Sequence, residues 1–253
     1  MIDIHSHILP GIDDGAKELQ NSIEMARQAV KEGVKAIIAT PHLNSKYHNK
    51  KDDILMATQQ LNNTLQKEQI QLQVLPGQEP RIYGEILEDY RSGDILTLNH
   101  SNYLFIEFPS NQIPRYARHL LYEIQLEGLT PVIVHPERNT EISEDPNKLY
   151  ELIQNGALSQ VTASSVAGTF GKKTQKLSFQ LIEANLTHFI ASDAHNITSR
   201  GFNIEEAFDV IDKRLGNDWV YYFDENSYLV TENQVVMKDT PQQVQRKKIL
   251  GIF

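Results

Sequence analysis

Seven apolar runs, each followed by a stretch with helical spacing, restrict the folds open to this chain more than any other feature. The first run, at residues 1–4, alternates β-branched residues, and the others lie at 34–42, 71–79, 102–109, 130–138, 157–162 and 187–195. Between them Ile23, Ala26, Arg27 and Val30 recur at helical spacing up to Gly33, and Ile54, Leu55, Leu61 and Leu65 mark a second apolar face. Further helices are predicted over 82–91, 114–127, 146–155, 171–185 and 205–215. Strands alternating with helices imply right-handed βαβ units and a parallel sheet, and closure into a barrel is the economical way to join seven of them. The expected class is therefore α/β, a (β/α)7 barrel. No shift in composition marks a boundary, so one domain spanning 1–253 is expected. The remainder after residue 215 reads as short strands and loops around Tyr228 to Val236. The Arg246-Lys247-Lys248 run near the end reads as a solvated helix end.

The unusual residues are not scattered. His5 and His7, His42, Glu79, Glu107, His135, and Asp193 with His195 all fall where a predicted strand finishes. In a parallel barrel those ends share one face, which is where barrel enzymes place their chemistry. Pro10, Gly11 and the Asp13-Asp14-Gly15 turn bend the chain after the first run and add hard oxygen ligands beside the imidazoles. Five histidines and four carboxylates, counting Asp14, exceed the needs of one cation, so a cluster is implied. Two-metal hydrolytic sites hold their ions about 3.5–4 Å apart, a spacing that a bridging carboxylate such as Glu79 can set. Mixed imidazole and carboxylate ligation suits manganese, iron, zinc or cobalt rather than magnesium or calcium alone.

Arg138 and Arg200 lie in loops leaving the same face. A guanidinium fork matches phosphate oxygens bidentately, so the pair suggests a phosphoryl group held against the cations. The alternative is a surface ion pair for either arginine, with Asp193 or Glu137 as partners. His48, His100, His119 and His188 do not follow predicted strands and are read as surface or structural residues. Tyr47 and His48 share a ligand-face loop within reach of a substrate.

Composition narrows the function by exclusion. Hydrophobic residues make up 40% and charged residues 23%, and no apolar run approaches the roughly 20 residues a membrane helix needs. The first residues lack a basic region followed by a long apolar stretch, so a cytoplasmic protein without a membrane span is expected. There is no cysteine, which removes disulfides, thiolate-zinc sites and every mechanism with a cysteine nucleophile. A formal charge of −9 disfavours a nucleic-acid partner. It does not exclude an anionic substrate, because bound divalent cations reverse the sign locally.

His5-Ser-His7, Asp13-Asp14-Gly15, Thr40-Pro41-His42, Glu79, Glu107, His135-Pro-Glu-Arg138 and Ser192-Asp193-Ala-His195 together resemble the polymerase and histidinol phosphatase (PHP) family of metal-dependent phosphoesterases. The likeness is strongest to its bacterial capsule-type tyrosine phosphatases, of the CpsB and YwqE kind, and runs from Met1 to beyond Arg200. It implies a distorted (β/α)7 barrel with three divalent ions, most often manganese, with iron, zinc, cobalt or magnesium as alternatives. By that resemblance His5, His7, Glu79 and Asp193 hold one ion, and Glu79 bridges to a second held by Glu107 and His135. Asp14, chosen over Asp13 by the family register alone, holds the third with His42 and His195. Arg138 and Arg200 match phosphate-contacting positions. The implied substrate is phosphotyrosine on the tail of a bacterial tyrosine kinase that controls capsule or exopolysaccharide synthesis. Two rivals remain: a small-molecule phosphomonoesterase such as a histidinol-phosphate phosphatase, and a non-catalytic module stabilised by metal.

Overall fold

The computed structural model describes residues 1–245, so the Arg246-Lys247-Lys248 run lies outside the described residues. The chain begins with β1 (Ile2–Ser6), α1 (Leu19–Lys31), β2 (Ala36–Ala39), β3 (His42–Leu43), α2 (Lys51–Lys67), β4 (Gln73–Pro76) and β5 (Glu79–Pro80). It continues through α3 (Ile86–Ser92), β6 (Tyr103–Ile106), α4 (Ala117–Leu126), β7 (Thr130–Val134), α5 (Thr140–Glu144) and α6 (Asn147–Gln154). The last elements are β8 (Leu158–Thr162), α7 (Ala163–Ala167), α8 (Lys172–Glu183), β9 (Phe189–Ala191), α9 (Ile204–Leu215) and α10 (Asn217–Thr231).

All seven predicted strands are present, but two are broken. The run at 34–42 divides into β2 and β3 around Thr40-Pro41, because proline has no N–H to give to a ladder. The run at 71–79 divides into β4 and β5 at Gly77, where an added Cβ would lie 2.6 Å from Ile38 Cγ2. Every strand pairing is parallel, in sheets ordered β1-β2-β4, β3-β5 and β6-β7-β8-β9. Isolated parallel bridges join Ser6 to Ala194 and Arg81 to Glu107, which tie the three sheets to one another at the carboxyl ends of their strands. The fold is α/β with parallel sheets.

The strands bury both faces, as parallel sheets covered by helices do. Ile37, Val74, Leu104, Ile106, Ile133, Val161 and Ile190 pack outward with the apolar faces of the helices. Their neighbours at period two, among them Ile4, Ile38, Phe105, Val132, Val134, Phe189 and Ala191, collect in a second cluster between the strands. Each strand is thereby fixed in register, since a one-residue slip would exchange the two faces. That register delivers the strand-end residues to a common side.

The region after residue 215 departs from expectation. It forms a 15-residue helix, α10, rather than short strands. Phe223, Asn226, Ser227 and Val230 are its buried positions, at helical spacing, but two of the four are polar. Asn226 is what hides the pattern: its amide donates to the carbonyls of His188 and Met237, and its oxygen accepts from Met237 N at 2.7 Å. A polar residue satisfied in this way costs nothing like a bare one, so the helix keeps its inner face with little apolar periodicity. No helix among the described residues is long and apolar enough to cross a membrane.

His188, read as structural, is buried where β8 meets the start of β9, and Ser159 N–H donates to its Nδ1 at 3.2 Å. Burial, followed by the charge of Lys238, pulls its pKa from 6.5 to about 3. The folded protein thus binds fewer protons here than the unfolded chain between those values, and stability falls as pH drops through that window. At about 1.4 kcal/mol per pH unit the loss approaches roughly 4 kcal/mol at the acid end. Thermal unfolding of the wild type and His188→Asn from pH 7 to pH 4 should show a steeper acid decline in the wild type. Parallel pH profiles would reject a neutral buried imidazole.

Candidate metal centre

Every residue at the predicted strand ends reaches one site. His5 lies within β1 and His7 just beyond it, and the Asp13-Asp14-Gly15 turn folds back on them, with Ala16 N–H donating to His7 O at 3.1 Å. Only glycine fits at position 15, because a Cβ there would stand 2.0 Å from His7 O and 2.4 Å from His7 Cβ. His42 and Glu79 are paired neighbours in β3 and β5. Glu107 follows β6 and His135 follows β7, while Asp193 and His195 follow β9. His135 and Asp193 adopt positive φ values of 37° and 51°. For residues other than glycine that conformation costs about 1–2 kcal/mol each, and backbone bonds from His135 N to Gln160 O (2.7 Å) and Asp193 N to His5 O (2.8 Å) hold it.

Glu79 stands at the centre. Its Oε1 lies 2.9 Å from His135 Nε2 and 3.5 Å from His5 Nε2, and its Oε2 lies 2.8 Å from His42 Nδ1 and 3.3 Å from His7 Nε2. Asp193 Oδ1 is 3.5 Å from His5 Nε2 and 3.2 Å from His7 Nε2. Asp14 Oδ1 is 3.3 Å from His42 Nε2 and 3.5 Å from His195 Nε2. Three sets of side chains therefore offer converging ligand atoms: His7, Asp14, His42 and His195; His5, His7 and Asp193; and His42, Glu79 and Glu107. In the third set His42 stands where the resemblance implies His135, which meets Glu79 through the other oxygen.

The donors suit cations. Among the buried side-chain atoms without a hydrogen-bond partner are His5 Nε2, His7 Nε2, His42 Nδ1, Glu79 Oε2 and His195 Nε2. His42 Nδ1 and Glu79 Oε2 face each other at 2.8 Å as an ion pair, which leaves His5 Nε2, His7 Nε2 and His195 Nε2 as buried atoms that fit ions accepting several lone pairs. Electrostatics agree. Against the effect of burial, the charges of His42 and His5 hold Glu79 well below the usual carboxylate range, and Arg138 does the same for Asp193. His42, despite burial, is pushed up to about 10 chiefly by Glu79. Burial and Glu79 raise Glu107.

The residues around the cluster hold its rings. Asp13 is not among the converging ligands; its Oδ2 lies 2.7 Å from His7 Nδ1 and accepts from His42 N–H at 3.2 Å. Gln160 Oε1 lies 2.9 Å from His5 Nδ1. Arg81 forks onto Glu107, Nε to Oε2 at 3.0 Å and the terminal nitrogen to Oε1 at 2.7 Å. Sequence reasoning passed over Gln160 and Arg81, though a glutamine inside a buried strand and an arginine two residues beyond a strand-end glutamate were signals of a kind. Glu137 belongs elsewhere: buried, it accepts from Thr162 N–H and the Ser165 hydroxyl at the start of α7. His48, His100 and His119 are exposed, and Tyr47 stacks on His42 with ring centroids 6.0 Å apart.

Both predicted arginines converge on one carboxylate oxygen. Arg138 and Arg200 reach Asp193 Oδ2 at 2.7 and 2.9 Å, opposite the oxygen that faces the histidines. They also line a cavity of about 470 Å³ beside the cluster, together with Glu107, His135, Phe108 and Phe170.

A family model described as capsular polysaccharide synthesis, CpsB/CapC, matches residues 1–231. The chain belongs to that family. It is 51% identical to the tyrosine-protein phosphatase YwqE of Bacillus subtilis over the full length of both chains. To the tyrosine-protein phosphatase CpsB of Streptococcus pneumoniae it is 32% identical, over 85% of this chain and 91% of that one. Among solved structures it superposes with a TM-score of 0.96 at 51% identity, over 97% of this chain and 100% of the other, on one from a study of B. subtilis YwqE and S. pneumoniae CpsB. Those two proteins are described there as unique metal-dependent tyrosine phosphatases. A mutant organophosphorus hydrolase aligns at a TM-score of 0.54 with 12% identity, a likeness of fold alone.

Replacing Gly15 by Ala should push the turn off His7 and take Asp13 and Asp14 with it. Manganese affinity, measured by calorimetry, should fall by at least about tenfold, the loss typical when the groups that orient ligands are disturbed. An unchanged affinity in a folded variant would remove this turn from the site.

Proposed function

We propose that this chain is a metal-dependent tyrosine-protein phosphatase acting on the phosphotyrosine tail of a bacterial tyrosine kinase that governs capsule or exopolysaccharide synthesis. The observation that carries the reading is the union of a cation-type cluster with two guanidiniums at the mouth of one cavity. The names of the family and its relatives support it. In this reading 1–253 is a single domain in the cytoplasm whose described residues form a closed, distorted (β/α)7 barrel; the inner apolar cluster and the two parallel bridges between sheets support the closure.

His5, His7, Glu79 and Asp193 would hold one ion, Glu79 with Glu107 and His135 a second, and Asp14, His42 and His195 a third. The mixed donors suit manganese, iron, zinc or cobalt alike, and the family resemblance favours manganese among them. Bound there, divalent cations would supply Lewis-acid charge and lower the pKa of water. The chain's own residues do the rest. Asp13 and Gln160 keep the His7 and His5 rings turned inward through their Nδ1 atoms. Arg138 and Arg200 leave Asp193 Oδ2 for the phosphoryl oxygens and balance the charge that develops on them, the dominant requirement in phosphoryl transfer. The buried wall of Phe108 and Val134 keeps bulk water from that end of the cavity. A tyrosyl oxygen, with a phenol pKa of about 10, leaves with less need of a proton than an alkoxide.

Purified protein stripped of metal should release no phosphate from a phosphotyrosyl peptide and should recover turnover with manganese. His135→Ala should abolish that recovery. Arg138→Ala and Arg200→Ala should each lower kcat/KM by about 100-fold, as removal of one charge-stabilising donor does elsewhere. Faster turnover of histidinol phosphate than of the peptide would move the substrate to small phosphomonoesters. No turnover with any metal would leave a binding module.

A further inference from the structure

Phe170 has no place in the packing of the fold. It sits in the short turn between α7 and α8, flanked by Gly168 and Gly171 at φ values of 96° and 91°, and it belongs to neither apolar cluster. The ring is partly buried, and what it borders is a cavity rather than the core. Here it lines the 470 Å³ cavity together with Phe108, and the guanidinium of Arg138 lies over it, 5.9 Å from the ring centroid. The cavity is therefore two-sided in chemistry. Its lining combines the charged and ligating Arg138, Arg200, Glu107 and His135 with the apolar Phe108, Val134, Pro136 and Phe170.

We infer that Phe170 is the specificity-determining residue for the leaving group, an aromatic wall that receives the phenyl ring of the substrate while Arg138, stacked on the same ring, holds the phosphoryl group. This rests on the phosphatase reading above. The geometry suits a phosphate monoester of a phenol: the anion goes to the guanidinium end, and a flat apolar group one ring long lies outward along the wall. Phe108 is held in the core at 4% exposure, whereas Phe170 stands on a turn between two glycines, free of the core packing. Ring pairs in offset or edge-on arrangements gain free energy beyond simple burial. An alkyl or acyl phosphate fills the anion end and leaves the wall unused.

The test compares phenyl phosphate with acetyl phosphate, on manganese-loaded full-length protein. In Phe170→Ala the ratio of kcat/KM for phenyl phosphate to that for acetyl phosphate should fall by about tenfold relative to wild type, the size expected for the loss of one aromatic contact with its buried area. Phe170→Leu, which keeps bulk but not the ring, should lie between, and Phe170→Tyr should retain the wild-type ratio. Equal losses on both substrates would overturn the inference, because they would mean that Phe170 only supports Arg138. An unchanged ratio in a variant of wild-type thermal stability would also overturn it. Wild-type protein that hydrolyses neither compound would instead refute the phosphatase reading, and the inference with it.

Discussion

One buried carboxylate governs this structure. Glu79 is fully excluded from solvent, and its two oxygens face four imidazoles, those of His5, His7, His42 and His135. A bare carboxylate in a protein core is prohibitively costly, so opposite charge must be built around it. The four imidazoles come from the ends of β1, β2 with β3, and β7, which is possible only because parallel strands bring their carboxyl ends to one side. Pairing of His42 with Glu79 in the short β3-β5 sheet sets the closest of these contacts. Displacing any of those strand ends by one residue would strand the carboxylate.

Asp193 carries that constraint outward. One oxygen faces His5 and His7, and the other takes both Arg138 and Arg200. The donor cluster and the guanidinium pair therefore share a single carboxylate, whose unusual positive φ is held by the backbone bond to His5. Asp3 secures the same junction from below: buried, it accepts from Ser192 N–H at 2.9 Å and from the Ser192 hydroxyl, binding β1 to the chain that leaves β9. The backbone that carries Asp193 is thus tied to β1 on two sides, and both arginines line the cavity.

Much of this was legible in the sequence, for a physical reason. Strands buried on both faces must be nearly pure apolar runs, so a histidine or acid at the end of one stands out; eight of the nine expected residues fall in the converging sets, and His135 lies against Glu79. Arg138 and Arg200 were visible through their spacing from His135 and His195. The choice of Asp14 over Asp13 was not visible in the residues themselves; it takes the fold of the turn to show Asp13 turned toward His7 Nδ1 and Asp14 toward His42 and His195. The partition of donors was equally hidden, because His42 and His135 approach opposite oxygens of Glu79 in space. Helix α10 escaped because Asn226 and Ser227 occupy two of its four buried positions, and a pattern based on hydrophobicity reads satisfied polar residues as exposed ones.

The charge of the molecule acquires a different meaning at this site. Across the chain acids outnumber bases, giving a formal −9, yet the cavity beside the cluster is lined by Arg138 and Arg200. In the described structure each arginine is already paired with Asp193, so the cavity alone offers an anion little net attraction. Cations among the donors would draw Asp193 toward them and weaken its hold on the guanidiniums, by the same competition that sets any shared ion pair. The affinity for an anionic ligand and the affinity for cations would then be one linked quantity. An anion on Arg138 and Arg200 would strengthen the claim of cations on Asp193, and reciprocity would require the converse.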